Sequence, residues 1–102
     1  MSSPLPLSDN EAADFALSLL PIERSVMEHF AKGRAWTYGT VAERAGASLA
    51  DVVDFGHKLQ RARLGHVSVI PYNGSRFFLN DRGESVKRAT EILASLQGER
   101  PR

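Results

Sequence analysis

The side chains of this chain that could do chemistry are hydrogen-bond donors and acceptors rather than nucleophiles or metal ligands. The chain has no cysteine, which excludes disulfides, thiol nucleophiles and thiolate metal sites. His29, His57 and His66 fall on separate predicted elements without metal-ligand spacing. No serine–histidine–aspartate set, glycine-rich phosphate loop or paired-carboxylate motif can be assembled. We therefore expect no enzyme activity, no cofactor and no metal ion.

A different set of side chains gathers on one predicted helix, over residues 49–63. Its apolar residues recur at helical intervals and predict a buried face: Val52, Phe55, Leu59, Ala62. The helix start and the other face carry the candidate nucleic-acid contacts: Ser48, Ala50, Asp51, Asp54, His57, Lys58, Arg61. Lysine and arginine suit guanine or phosphate, or are simply solvated. The aspartates accept from cytosine amines or, more simply, Asp51 caps the helix and Asp54 pairs with Lys58.

A predicted β-hairpin follows this helix. Residues 66–70 and 76–79 are rich in β-formers, and Asn73-Gly74 between them suits a type I′ turn. Asn73, Ser75 and Arg76 near this turn are further candidate DNA contacts, with Arg76 directed to the minor groove or to phosphate. The alternative for Arg76 is a solvated position at the hairpin tip.

The remaining elements are predicted from caps and breakers. A capping box, Ser8-x-x-Glu11, starts a helix over 9–19, and Pro21 starts another over 22–32. Thr37 caps a short helix through Ala45, Gly46 supplies a turn, and a last helix covers 84–97. The short helix, the turn and helix 49–63 form a predicted helix-turn-helix. The fold class is mainly α with a small β-hairpin.

Two predictions concern the short helix capped by Thr37 and the residues that precede it. The free N–H groups at its start suit a backbone phosphate, which makes Thr37 and Tyr38 candidate DNA contacts; the alternative is that Thr37 is only the cap. Residues 34–36 are too short for more than a bridging strand, and Trp36 and Phe77 are predicted in the core or as a platform under the hairpin.

The length of the chain indicates the number of domains, and its net charge bears on nucleic-acid binding. A chain of 102 residues is one domain, predicted to comprise a flexible arm over 1–7, the domain over 8–98 and a frayed tail over 99–102. A net charge of +1 supports nucleic-acid binding only weakly, although the second half is the more basic. No signal peptide or membrane-spanning run is apparent, so we expect a cytoplasmic protein.

Two stretches resemble known bacterial regulators. The segment TYGTVAERAGASLADVVDFGHKL resembles their helix-turn-helix, and SRFFLNDRGESVKRATEIL is similar to the wing and following helix of MarR-like regulators, where a wing arginine precedes a Leu-x-x-x-Gly step. The resemblance covers about residues 22–97 and implies a winged helix-turn-helix that binds double-stranded DNA and regulates transcription. It departs at Arg63, where those families often have glycine.

The same resemblance implies a two-fold dimer built by the terminal helices, with two recognition helices on successive major grooves. Apolar residues on both predicted terminal helices suit this homodimer: Phe15, Leu19, Leu20, Val86, Leu93, Leu96. The alternative is that both helices pack only on their own core.

A second resemblance leads to an alternative function. The segment GRAWTYGTVAERAG is similar to alkylguanine-DNA alkyltransferases and their non-reactive relatives, which continue to Ile-Pro-Cys-His-Arg. In the non-reactive relatives, tryptophan or another residue replaces that cysteine. Here Tyr72 stands at the cysteine position, the histidine and arginine are missing, and so is the arginine finger expected near Val52 or Val53. Alkyl transfer is excluded without a thiolate, which leaves lesion recognition. A third alternative is a winged-helix protein-interaction module that docks through Asp51 and Asp54.

Overall fold

A computed structural model describes residues 7–70 and 74–96, without the side chain of Ile70. The described chain contains five helices and one antiparallel hairpin: α1 Asp9–Leu17, α2 Pro21–Met27, α3 Tyr38–Ala45, α4 Leu49–Arg61, β1 Gly65–Ile70, β2 Gly74–Leu79, α5 Asp81–Leu96. The predicted fold class, mainly α with a small β-hairpin, is confirmed. None of the helices in this part of the chain has the length and apolar character needed to span a bilayer.

The helix starts follow local capping. Ser8 Oγ accepts from the Glu11 N–H at 3.1 Å, and Glu11 Oε1 accepts from the Ser8 N–H at 3.0 Å, which confirms the capping box. Hydrogen bonding of the Glu11 carboxylate to the Ser8 backbone N–H, and then to the Ser8 side chain, lowers the pKa of Glu11. Thr37 and Ser48 cap α3 and α4 in the same way, by accepting from the N–H of the residue three positions on. These three predicted starts are confirmed.

The prediction of a second helix over 22–32 is wrong at its end, since α2 stops at Met27. The N–H groups of His29 and Phe30 bond to carbonyls only three residues back, so the helix tightens and stops. The Ala31 carbonyl instead accepts from the Leu79 N–H at 2.9 Å. A distant strand therefore competes for this backbone.

The last helix begins at Asp81, three residues before the predicted start. Asn80 Oδ1 accepts from the Gly83 N–H at 2.9 Å, so Asn80 caps the helix and Gly83 lies in its first turn. A Cβ on Gly83 would lie 2.2 Å from the Leu64 carbonyl oxygen. Only glycine allows α5 to approach the chain at Leu64 so closely.

Helix α4 ends at Arg61, two residues before the predicted end, and Arg63 closes it in the left-handed region with φ 63°. The Arg63 N–H bonds to the Gln60 carbonyl at 3.0 Å and the Leu64 N–H to the Leu59 carbonyl at 2.9 Å. This is a Schellman motif with arginine at the position that glycine normally takes.

The hairpin pairs Gly65 with Leu79 at one end and Ile70 with Gly74 at the other. On the far side of β2, isolated bridges join Ala31 to Phe78 and Thr37 to Arg76. Residues 34–36 thus lie between two single bridges, which agrees with the prediction of no more than a bridging strand. Strand β2 is held from both sides.

The core lies where α2, α3, α4 and the hairpin meet. Phe30 stacks on Phe55 and Phe77, with ring centroids 6.0 and 5.0 Å away, and Tyr38 packs against Phe30. Phe77 is fully buried, as predicted. Trp36 was predicted in the core or as a platform under the hairpin. The core position is wrong, because Trp36 is 48% exposed.

Helices α1 and α5 pack against each other beside this core. The Lys87 ammonium donates to the Phe30 carbonyl at 2.7 Å, and Lys32 pairs with Asp81, which raises the pKa of Lys32. Leu7, assigned by sequence to the flexible arm, packs against the core, while residues 1–6 and 97–102 lie outside the described residues.

Candidate nucleic-acid interface

Helices α3 and α4 are joined by a tight turn and pack directly on each other. Gly46 takes φ 67°, and the Ala47 N–H returns to the Ala42 carbonyl at 3.0 Å, which closes α3. Ser48 then begins α4 by accepting from the Asp51 N–H at 3.0 Å. The turn thus fixes the direction in which α4 leaves.

Tyr38 of α3 packs against Gly56 of α4. A Cβ on Gly56 would lie 2.3 Å from the Tyr38 hydroxyl oxygen, so the ring fits only over a glycine. Tyr38 is 5% exposed, and its buried hydroxyl has no hydrogen-bond partner among the described residues. Burial raises the pKa of Tyr38 to about 12. Its side chain is a core element at this site rather than a surface contact.

Four residues form an exposed line along α4, which we call the α4 stripe: Ala50, Asp54, His57, Arg61. At about 100° per residue they fall within about 60° of arc. The buried residues of α4 lie on the opposite side: Val52, Phe55, Gly56, Leu59. Within residues 7–70 and 74–96, the side chains of Asp54, His57 and Arg61 make no hydrogen bond or ion pair. Their donors and acceptors therefore face solvent unused.

Lys58 lies to one side of the α4 stripe and is engaged elsewhere. Its ammonium is 3.2 Å from Glu23 Oε2 and 3.3 Å from Glu23 Oε1, whereas the sequence suggested Asp54 as its partner. Glu23 Oε1 also accepts from the Leu20 N–H at 2.8 Å, so one carboxylate caps α2 and holds Lys58. Ser48 and Asp51, both exposed, stand at the start of α4.

Arg76 is turned back from the hairpin onto the chain that leads into α3. Its Nη1 donates to the Ala35 carbonyl at 2.9 Å, its backbone bridges Thr37, and its Nε is buried without a partner among the described residues. A Cβ on Gly74 would lie 3.8 Å from the Thr37 side chain. We call these contacts of Ala35, Thr37, Gly74 and Arg76 the hairpin seam.

The other predicted hairpin contacts are only partly described. Ser75 is half-buried on β2, next to Arg76. Asn73 lies outside the described residues, as do Pro71 and Tyr72, so most of the stretch at the position of the alkyltransferase Ile-Pro-Cys-His-Arg segment is not described.

Sequence reasoning missed a pair beside the hairpin seam. The Arg44 guanidinium carbon lies 4.2 Å from the ring centroid of Trp36, in a cation–π arrangement, and both residues are exposed. Thr40 and Arg44 lie four residues apart on one face of α3, and Trp36 precedes Thr40 by the same step just before the helix, a spacing that could have indicated the pair.

Neither metal chemistry nor a known family adds to this site. The described residues contain no group of three or more histidine, aspartate or glutamate side chains placed to hold a metal ion. No protein-family model and no curated protein matches the chain. The function proposed below therefore rests on the geometry and on the sequence resemblance to bacterial regulators.

Proposed function

We propose that this protein is a winged helix-turn-helix that binds double-stranded DNA and regulates transcription. In this proposal α3 and α4 form the helix-turn-helix, α4 enters the major groove and the β1–β2 hairpin is the wing. The observation that carries it is the α4 stripe. It is an exposed line of side chains whose donors and acceptors have no partner among the described residues, on a helix whose opposite face is fully buried.

The chemistry of the α4 stripe suits base edges better than phosphates. Arg61 can donate two hydrogen bonds to guanine, and Asp54 can accept from the amino group of cytosine. His57 can donate or accept, while Ala50 can contact a thymine methyl group. The α4 stripe in this proposal contacts base edges and so gives sequence specificity. Most of the affinity for duplex must then come from cations elsewhere on the same side that contact phosphates.

The test is a salt series of duplex binding with pooled genomic fragments, followed by selection of the bound fragments. We expect log Kd to rise with log salt and the selected fragments to share a motif. Arg61→Ala should weaken binding and relax the preference at one base pair, by about 1–3 kcal/mol of discrimination. Arg88→Ala on α5 is the matched control, because it removes an equal charge from another exposed helix face. Duplex binding that is absent at low salt contradicts the proposal.

A homodimer through α1 and α5 is part of the proposal. Leu19 and Val86, which the sequence assigned to the dimer, are buried in the protein's own core, whereas Leu20 and Leu96 stay 60% and 77% exposed. Leu17 and Ile92 on the same helix pair are also more than half exposed. A second copy that covers these leucines places two α4 helices on one duplex. Leu20→Glu with Leu96→Glu should give monomers in sedimentation, while an unchanged dimer rejects this interface.

A protein-docking module is the second candidate, because Asp51 and Asp54 are both exposed at the start of α4. Changing both to lysine discriminates the two candidates. In a DNA-binding protein the affinity for duplex of unselected sequence should rise, since two repulsive carboxylates become two cations, while the preference at the base pair that Asp54 contacts is lost. Duplex affinity that stays absent in this variant favours docking of protein.

A further inference from the structure

The cations around the proposed DNA-binding side differ in how many of their donors are free. Lys58 is paired with Glu23, Lys32 is paired with Asp81, and Arg76 donates to the Ala35 carbonyl. An arginine that keeps its N–H groups free while its position is fixed is better suited to phosphate than any of these, because little ordering remains to be done on binding.

Arg44 meets both conditions. Its guanidinium lies over the Trp36 ring, 4.2 Å from the centroid, and among the described residues it forms no hydrogen bond or ion pair. Stacking uses the flat face of the guanidinium and leaves the N–H edges free in the plane. Those edges form the fork that matches two oxygens of one phosphate.

The platform under Arg44 is itself fixed. Trp36 lies between Ala35, whose carbonyl is held by Arg76, and Thr37, which bridges β2 and caps α3. The Thr37 side chain also faces Gly74 at the start of β2. Trp36 and Arg44 are therefore positioned by the hairpin seam, at the junction of the hairpin with α3.

We propose that Arg44, held on Trp36, is a preorganised contact to a DNA backbone phosphate beside the wing. This inference rests on the proposed function. It adds a phosphate contact from α3, since Lys58 of α4 is paired with Glu23. Trp36 is a positioning residue, which acts through Arg44 by fixing the plane of its guanidinium.

The experiment measures duplex affinity across a salt series for the full chain. Arg44→Ala should weaken binding on the order of tenfold, and its log–log salt slope should be smaller by about 0.9, because one phosphate is no longer neutralised. Arg88→Ala removes the same charge from α5, next to Glu84, Lys87 and Glu91. Because Arg88 lies one turn before Ile92 on the proposed dimer helix, the sedimentation of this variant is measured as well; with an unchanged dimer, affinity and slope should be unchanged. Arg44→Lys keeps the charge without the planar fork, so affinity should be intermediate and the slope that of the unchanged chain.

Two further variants test the platform. Trp36→Ala keeps every charge but frees Arg44, so we expect a several-fold loss of affinity, on the order of the 0.5–1 kcal/mol of an exposed cation–π pair. Trp36→Phe should lose less, because a smaller ring still carries the guanidinium. Trp36 is the only tryptophan of the chain, so its fluorescence should change when duplex is added, and change less in Arg44→Ala.

The outcomes separate this inference from the proposed function. If the unchanged chain shows no salt-dependent duplex binding, the proposed function fails. If it binds but Arg44→Ala behaves as Arg88→Ala does, or Trp36→Ala binds as tightly as the unchanged chain, only the phosphate contact is overturned. A poly-glutamate chain that binds more tightly than duplex, through Arg44, assigns the surface to acidic protein instead.

Discussion

The hairpin seam and the α4 stripe lie on neighbouring elements but are built in opposite ways. In the hairpin seam, side chains are tied to backbone: Arg76 to the Ala35 carbonyl and Thr37 to the start of α3. In the α4 stripe, Asp54, His57 and Arg61 have no partner among the described residues. The contacts of the hairpin seam hold the hairpin against the start of α3. The side chains of the α4 stripe make no such contacts among the described residues, so they can be changed without disturbing the fold.

The largest expected effect comes from the helix contact that supports both regions. Gly56→Ala should destabilise the protein by about 1–3 kcal/mol, because its Cβ would lie 2.3 Å from the Tyr38 hydroxyl oxygen. Gly39→Ala is the matched control, since that Cβ would meet nothing within 4 Å. It should stabilise α3 by up to about 1 kcal/mol. Urea unfolding of the two variants checks this, and equal midpoints contradict the close approach of α3 and α4.

Arg76 and Arg61 offer a direct comparison of the two regions. Arg76→Ala should lower the free energy of unfolding by about 1–2 kcal/mol, because the Ala35 carbonyl loses its donor. Arg61→Ala should change stability by less than about 0.5 kcal/mol, since the side chain is exposed and unpaired among the described residues. Thermal unfolding measures both. The comparison fails if Arg61→Ala is the more destabilising.

A gain of stability is expected at Arg63, which closes α4 with φ 63°. Arg63→Gly should stabilise the protein by about 0.5–1 kcal/mol, because glycine adopts this conformation without the steric cost of a Cβ. Since Arg63 lies past the end of α4, Arg61 should keep its role in duplex binding. A lower midpoint in urea for Arg63→Gly would falsify the account of this helix end.

A pH dependence is expected from Tyr38, whose pKa is raised to about 12 by burial. Because an unfolded tyrosine ionises near pH 10, the stabilising contribution of neutral Tyr38 is complete below that pH and is lost as the pH rises toward 12. Tyr38→Phe should flatten this decline. It should also raise stability by about 1 kcal/mol at neutral pH, by removing a buried hydroxyl that has no hydrogen-bond partner among the described residues. The free energy of unfolding of each variant is measured between about pH 9 and pH 11, a range centred on the ordinary pKa of tyrosine, and its slope against pH is compared.

The features that were predicted correctly from the sequence depend on residues close together in the chain. Ser8, Thr37 and Ser48 cap their helices because the cap and the N–H group it accepts from are three residues apart. The hairpin and the buried face of α4 also follow from short-range patterns.

What the sequence could not predict depends on contacts between distant residues. The end of α2 depends on Leu79, the partner of Lys58 lies on another helix, and Arg76 is turned back onto Ala35. Trp36 was predicted in the core or as a platform under the hairpin, whereas its exposure depends on how the hairpin seam holds the chain. Of the candidate site, the position of the α4 stripe was predicted, and the fixed surface beside it was not.

The measurement that tests the central claim most directly is a titration of the ¹⁵N-labelled protein with a selected duplex, followed by NMR. If α4 enters the groove beside a fixed phosphate contact, the largest shifts belong to the amides of Ala50, Asp54, His57 and Arg61 and to the indole N–H of Trp36. The amides of α5 near Arg88 should move little. Shifts that are largest at the start of α5, with the α4 stripe unmoved at saturation, would contradict the account.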